Sequence, residues 1–141
     1  MEINKFKHHI SIKVRFSDID AMGHVNNATY LSYLEEARIA YFNKVLNYTE
    51  NNLAFGAVVA KIDIDYISQI KLGDDVEIYT KCGNFGNKSS DIENLIVIKK
   101  AGENIIAAKV KTKLVSFDYK LRKSVPIPLD VKTKIAAFEN S

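Results

Sequence analysis

Apolar and polar residues alternate along most of this chain, and one helical stretch interrupts the alternation. Residues 8–17 carry four apolar side chains at every second position, which is typical of a β-strand because successive side chains point to opposite faces. From Ala28 to about Leu46 the apolar positions instead recur every three or four residues and leave only a thin polar stripe. This pattern predicts a long helix that is buried over most of its surface.

Further strands are predicted after the helix, because apolar alternation returns between turn-forming residues. The expected extended segments are Phe55–Ile70, Val76–Cys82, Ser90–Lys99 and Ile105–Phe117. The connections between the last three are short, so these strands are expected to be antiparallel. The inward face of the last strand is predicted to carry Ile106, Ala108, Val110, Thr112 and Leu114. With a short tail helix at about Leu129–Phe138, the pattern predicts an α+β fold in which one antiparallel sheet packs on one long helix.

Length and composition add limits to this fold. The 141 residues, 47% of them apolar, suit one domain spanning 1–141. No apolar run approaches the ~18 residues that a membrane span needs, and the first residues lack the apolar core of a signal peptide. Cys82 is the only cysteine, so neither an intrachain disulfide nor a cysteine metal cluster is possible. We therefore expect a cytoplasmic protein with no membrane partner.

The charge balance and the open sheet affect the expected partners. Twenty basic and 17 acidic residues give a net charge of +3, which is too small to indicate a nucleic-acid partner. A single sheet leaves unpaired edges, and pairing the edges of two chains removes them. A homodimer is therefore predicted, and a homotetramer is a further possibility.

The loop from Ser17 to Asn27 is the predicted location of chemistry. It contains Asp18, Asp20 and His24 just before the buried helix, and Gly23 allows a backbone turn that a Cβ would hinder. Asn26 or Asn27 is suited to be the N-cap of the helix. The first N–H groups of a helix lack intrahelical partners and carry partial positive charge. A carboxylate beside such donors is typical of an active site.

The same segment resembles the hotdog-fold thioesterases of the 4-hydroxybenzoyl-CoA thioesterase type. The resemblance implies a five-stranded antiparallel sheet wrapped round a central helix, obligate dimers that often form tetramers, and hydrolysis of acyl-CoA or acyl-carrier-protein thioesters without a cofactor. The order of the downstream strands agrees with it over nearly the whole chain. The matching motif residues are Asp18, Asp20, Gly23, His24, Val25, Asn26, Asn27, Tyr30, Tyr33, Glu36, Ala37 and Arg38.

The resemblance also implies roles for individual residues. Asp20 matches the catalytic aspartate of the family, and the N–H of Asn27 matches the amide that polarises the thioester carbonyl. Plant acyl-carrier-protein thioesterases share the H-V-N-N segment, which adds His24, although Met22 occupies the position of their asparagine. In the segment where family members hold the CoA phosphates, Lys88 is the basic residue of this chain.

Plainer roles fit several of these residues. Asp20 also suits a carboxylate that caps loop amides, and His24 suits either a residue that orients water or substrate or one that bonds the loop backbone. Tyr30 suits either the core or the wall of an acyl pocket. Asp18 is interpreted as structural, bonding loop amides at the end of the first strand.

Our hypothesis is an acyl-CoA thioesterase with Asp20 as general base or nucleophile and the Asn27 amide as oxyanion donor. His24 is a third catalytic candidate, no metal is expected, and the substrate-binding candidates are Gly23, Tyr30 and Lys88. Two alternatives remain at this point: an acyl-carrier-protein thioesterase and a non-catalytic hotdog module that binds acyl-CoA.

Overall fold

The computed structural model of the protein describes residues 2–47 and 56–141. The predicted helices and strands are confirmed within a few residues, except that the first strand ends early, at Lys13, and a 3₁₀ turn at Phe16–Asp18 follows. The start of the predicted run at Phe55 lies outside the described residues. The observed elements are β1 (His8–Lys13), α1 (Thr29–Leu46), β2 (Ala57–Tyr66), β3 (Asp75–Gly83), β4 (Ser89–Lys100), β5 (Glu103–Asp118), β6 (Lys123–Ser124) and α2 (Leu129–Glu139).

The strands form one antiparallel sheet in the order β1-β3-β4-β5-β2, with the short β6 paired to β5. α1 packs on one face of this sheet, and its Leu34 and Ala37 lie in a core with Ile78 and Ile96. A second cluster surrounds Tyr41 where α2 covers the C-terminal half of α1. This arrangement confirms the predicted α+β class, with the long helix as the central element.

A β-bulge in β5 changes which side chains face the helix. Ile96 of β4 lies opposite Ala108, but the next residue, Val97, lies opposite Ile106, so Ala107 is an extra residue in β5. An extra residue reverses the facing of the side chains beyond it. The prediction that Ile106 faces the helix is therefore wrong, because Ile106 packs on the other face with Tyr79 and Val97. The other predicted inward residues of β5 are buried.

The face of the sheet that points away from α1 is partly covered. Ile3 and Phe6 of the N-terminal segment pack against a small apolar cluster on β3 and β4. Beyond this cover the lysines of β5 pair with acids: Lys109 lies 3.0 Å from Glu2, and Lys113 lies 3.5 Å from Asp91. The lysine side chains on this face are therefore paired with nearby carboxylates. Of the helices in the described part of the chain, none is long and apolar enough to cross a membrane.

Candidate active site

The loop before α1 folds into a small hairpin. Ile19 and Val25 form an isolated bridge, the N–H of Asp20 donates to the carbonyl of His24 at 2.9 Å, and the N–H of Gly23 donates to the carbonyl of Asp20 at 3.1 Å. Gly23 has a φ of +91°, a conformation that disfavours residues with a Cβ. The predicted turn at Gly23 is therefore confirmed, and it brings Asp20 and His24 face to face.

Asp20 has one engaged and one open carboxylate oxygen. Its Oδ1 accepts the N–H of Met22 at 2.9 Å, so the carboxylate does cap the loop. Across the described ranges 2–47 and 56–141, no hydrogen bond or ion pair uses Oδ2. The side chain is 31% exposed, so this second oxygen can meet water or a substrate. The capping bond fixes the orientation of the carboxylate and leaves Oδ2 for chemistry.

His24 lies beside this carboxylate, with its Nδ1 3.8 Å from Asp20 Oδ1. That distance is too long for a direct hydrogen bond. The ring makes no hydrogen bond to the loop backbone within the described residues, although the His24 carbonyl accepts one. With 24% of its side chain exposed, the imidazole can bond a water molecule shared with Asp20.

The start of α1 provides an open donor. Helix α1 begins at Thr29 without a side-chain cap on its N-cap residue, Ala28. Asn26 serves the preceding turn instead, since its Oδ1 accepts the N–H of Ala28 at 2.8 Å and its carbonyl accepts the N–H of Thr29 at 2.9 Å. The N–H of Asn27 has no acceptor among the described residues, and Asn27 is exposed. This N–H is therefore free to bind an incoming carbonyl oxygen.

Asp18 connects the loop to the helix. Its Oδ2 accepts the N–H of Arg15 at 2.9 Å and the hydroxyl of Tyr33 at 2.5 Å. Its carbonyl accepts the N–H of Asn26 at 2.9 Å, next to the open donor. Burial and the Asp18 charge raise the pKa of Tyr33 well above its usual range. The predicted structural role of Asp18 agrees with these bonds, but nothing in the local sequence indicates Tyr33 as its partner.

Tyr30 lies beneath the site, whereas Lys88 lies far from it. Tyr30 is 3% exposed and packs edge to face on Tyr66 with ring centroids 5.0 Å apart. Lys88 precedes β4 at the other end of the sheet, where its Nζ is 3.5 Å from Ser124 Oγ. Since Tyr66 lies level with Ile96 in the register, Lys88 is roughly 26 Å from the site along the direction of β4. Within one chain, Lys88 does not join the other candidates.

A polar cleft elsewhere on the molecule contains the cysteine of the chain, but that thiol is not activated. Its volume is about 490 Å³, and its lining includes Cys82, Asp91 and Glu139 but neither Asp20 nor His24. Burial raises the pKa of the Cys82 thiol to about 12, so the thiolate that would act as a nucleophile is scarce at neutral pH. The loop before α1 is therefore the better candidate site.

Comparisons with known proteins identify the family. The family profile of the thioesterase-like superfamily matches residues 14–135. The long-chain acyl-CoA thioesterase FadM of Escherichia coli (strain K12) is 31% identical over 127 residues, covering 88% of this chain and 93% of that protein. YsmA of Bacillus subtilis (strain 168), an uncharacterized protein, is 38% identical over 94 residues, but the match spans 67% of this chain and 59% of YsmA.

A solved structure agrees with this family over the whole fold. A thioesterase from Thermus thermophilus, complexed with coenzyme A and Zn, has 34% sequence identity and a TM-score of 0.83, and the match covers 97% of each chain. The chain belongs to the thioesterase-like superfamily and has its hotdog fold. This confirms the predicted family and the predicted enzyme class, a thioester hydrolase.

Proposed function

We propose that this protein is an acyl-CoA thioesterase whose active site is formed by Asp20, His24 and the N–H of Asn27. The observation that carries the proposal is the pairing of an open carboxylate oxygen with an open helix N-terminal donor in one short loop. Thioester hydrolysis needs both, because a nucleophile must be activated and the developing oxyanion must be stabilised.

In the proposed reaction, the Asn27 N–H binds the thioester carbonyl oxygen. Asp20 Oδ2 either removes a proton from a water molecule that attacks the carbonyl carbon or attacks that carbon itself. In the first case the tetrahedral intermediate collapses with loss of the CoA thiolate. In the second the CoA thiolate leaves as the mixed anhydride with Asp20 forms, and water then hydrolyses the anhydride to the free acid and the Asp20 carboxylate. His24 orients the attacking water beside Asp20, and both routes release a free acid and CoA.

The relatives favour CoA over a carrier protein as the thiol carrier. FadM is named for its activity on long-chain acyl-CoA, and the Thermus thermophilus thioesterase was solved with coenzyme A bound. Neither name carries the acyl-chain preference over to this chain. The exposed ring of Tyr66, which the buried Tyr30 supports from below, is proposed to contact the acyl group nearest the carbonyl. Gly23 is proposed to let the substrate pass close to the backbone.

We further propose that two copies pair through β2. This strand is an edge of the sheet, and its Val59 is 42% exposed. An exposed edge with unpaired N–H and carbonyl groups is suited to pairing with a second copy, and a two-fold axis is the simplest way to close the pair.

The charges of β2 favour one register for that pairing. Lys61 and Asp63 lie on the same face and are exposed. A two-fold axis through Ile62 would set Lys61 of each chain opposite Asp63 of the other, and cross-strand opposite charges are stabilising. Moving the axis to Asp63 or to Lys61 would set two like charges opposite each other. The axis at Ile62 is therefore the register that we propose.

The same register would explain a role for Lys88. Because β2 carries one extra residue between Val59 and Lys61, an axis at Ile62 would set Ala57 or Val58 of one chain opposite Tyr66 of the other, so the beginning of one β2 would neighbour the active site of the other chain. The partner subunit's Lys88 would then lie about three strand spacings from that site, roughly 15 Å, which is shorter than the distance within one chain. Lys88 is proposed to contact a CoA phosphate across this interface.

The catalytic proposal is tested by thiol release from a panel of acyl-CoAs, comparing wild type with Asp20→Asn. We expect at least a hundredfold loss in kcat, on the order that removal of a general base costs. Asp130→Asn, an exposed aspartate in the first turn of α2, is the matched control and is expected to retain activity. Full activity of Asp20→Asn would remove Asp20 from the mechanism. Turnover of acyl-carrier protein alone, or binding without turnover, would favour one of the two alternatives.

The pairing proposal is tested by charge exchange in β2. Lys61→Asp and Asp63→Lys are each expected to weaken the dimer in sedimentation experiments, because each sets like charges opposite each other. The double variant restores opposite charges and is expected to recover the dimer. A dimer that all three variants leave unchanged would contradict the register at Ile62.

A further inference from the structure

Tyr66, a residue outside the loop, bonds the peptide next to the proposed oxyanion donor. Its hydroxyl donates to the carbonyl oxygen of Asn27 at 3.0 Å, across 39 residues of sequence. We propose that Tyr66 is a positioning residue that fixes the direction of the Asn27 N–H. This inference rests on the proposed function, since it assigns a role to Tyr66 in the same reaction.

The direction of the donor depends on the two peptide units that meet at Asn27. The first unit contains the donor N–H itself and the Asn26 carbonyl, which accepts the N–H of Thr29 at 2.9 Å. Because a trans peptide is planar, the Asn27 N–H points opposite to that carbonyl. The second unit contains the Asn27 carbonyl, which accepts the Tyr66 hydroxyl, and the Ala28 N–H, which donates to Asn26 Oδ1 at 2.8 Å. With both units bonded, little freedom of rotation is left to the donor.

Tyr66 is itself held in place by the sheet and by α1. It is the last residue of β2 and pairs with Ala108, and its ring lies edge to face on the buried Tyr30 at an angle of 74°. At 46% exposure, Tyr66 contributes less to the core than Tyr30 does. Loss of its hydroxyl therefore leaves the packing of the ring and removes one bond to Asn27.

The chain contains a control for that bond that lies away from β2. The hydroxyl of Tyr79 donates to Glu77 Oε1 at 2.7 Å, and both residues belong to β3, which β4 and β5 separate from β2. Tyr66→Phe and Tyr79→Phe therefore each remove one bond made by a tyrosine hydroxyl, but only the first one bonds the Asn27 peptide.

The first experiment compares the steady-state kinetics of thiol release for the two variants, with their melting temperatures and sedimentation. For Tyr66→Phe we expect about a tenfold fall in kcat with little change in KM, because misalignment of an oxyanion donor affects the transition state more than the bound substrate. Tyr79→Phe is expected to keep the wild-type kcat. Equal kcat in both variants, or a raised KM at unchanged kcat in Tyr66→Phe, would overturn the inference.

A double variant separates positioning from general stability. Asn27→Pro removes the donor N–H, so adding Tyr66→Phe to it is expected to cause no further loss of kcat. A full tenfold additional loss would mean that Tyr66 acts independently of the donor and would overturn the inference.

A measurement without turnover keeps this inference distinct from the proposed function. The ¹⁵N order parameter of the Asn27 amide is expected to fall in Tyr66→Phe and to stay unchanged in Tyr79→Phe. A wild type that releases no thiol from any substrate refutes the proposed function. An active wild type with an unchanged order parameter in Tyr66→Phe refutes the positioning role alone.

Discussion

The two ends of α1 each carry a tyrosine bonded to a carboxylate, yet only one end is suited to chemistry. At the N-terminal end, Tyr33 donates to Asp18, and the neighbouring Asp20 and Asn27 keep open polar atoms. At the C-terminal end, Tyr41 donates to Glu139, whose carboxylate also accepts the N–H of Cys82 at 3.2 Å.

The two ends differ in the burial of their polar groups and in the open N–H of Asn27. Tyr41 is fully buried, and burial together with the Glu139 charge raises its pKa well above the usual range. The C-terminal cluster therefore joins α2 to α1, and its buried tyrosine hydroxyl is not accessible to a substrate. The exposed N–H of Asn27, rather than a tyrosine–acid pair, distinguishes the end that we assign to catalysis.

The largest expected effect comes from removing that donor. Residues 26–29 form a turn closed by the N–H of Thr29 and the carbonyl of Asn26, with Asn27 at the second position, where proline is favoured. Asn27→Pro is therefore expected to keep the turn and to lower kcat by about 10²–10³-fold, the usual cost of losing an oxyanion donor. Asn27→Ala keeps the N–H and is expected to be far milder. Equal loss in both variants would assign the role to the side chain.

A smaller effect, on stability rather than on turnover, is expected at the C-terminal end. Among the residues that the structure describes, Tyr41→Phe leaves the Glu139 carboxylate with the N–H of Cys82 as its one hydrogen-bond donor. We therefore expect the free energy of unfolding to fall by about 2 kcal/mol, typical of a hydrogen bond to a charged group. The kcat of the folded variant is expected to stay at the wild-type value. Urea unfolding and thiol release measure the two quantities, and a loss of kcat at unchanged stability would contradict the assignment of the two ends.

The smallest expected effect is a pH dependence of stability near Tyr41. His8 packs edge to face on Tyr41, and burial, with the nearby His9 and Lys44 charges, holds its pKa below the ordinary value of 6.5. As the pH falls through 6.5, the unfolded chain binds a proton before the folded chain does, so the free energy of unfolding falls until the folded-state pKa is passed.

His8→Gln removes this titration. The test is urea unfolding at several pH values between 7.5 and 5, where the variant is expected to show a shallower decline than the wild type. Parallel declines in the two proteins would mean that other groups cause the pH dependence.

The local patterns were sufficient to predict most of the fold. The helix is predicted because its apolar positions follow the helical period over 18 residues, and β4 and β5 are predicted because a tight hairpin joins two alternating segments. Ile106 is predicted on the wrong face because a bulge leaves no signal in an alternating sequence. Ala107 is the residue of β5 that has no partner in β4, and the sequence around it does not mark this position.

The candidate site was only partly predictable, because its bonds join distant positions. Asp20, His24 and Asn27 lie within eight residues, so the sequence alone groups them. The bonds of Tyr33 to Asp18 and of Tyr66 to Asn27 span 15 and 39 residues and depend on how α1 and β2 meet. The separation of Lys88 from the loop could not be predicted from sequence, because it is set by the length and order of the strands in the sheet.

The bulge at Ala107 limits how this loop could be transplanted into another protein. The Ala107 carbonyl accepts the N–H groups of both Ile67 and Ser68, which turns the chain after β2 towards Ile70. The Ile70 carbonyl in turn accepts the N–H of Val25 at 2.8 Å in the hairpin that carries Asp20 and His24. A designer who grafts the hairpin alone would leave this support behind. The smallest segment that would carry the site into another protein therefore includes the bulged pair of strands, β4 and β5, as well as the loop.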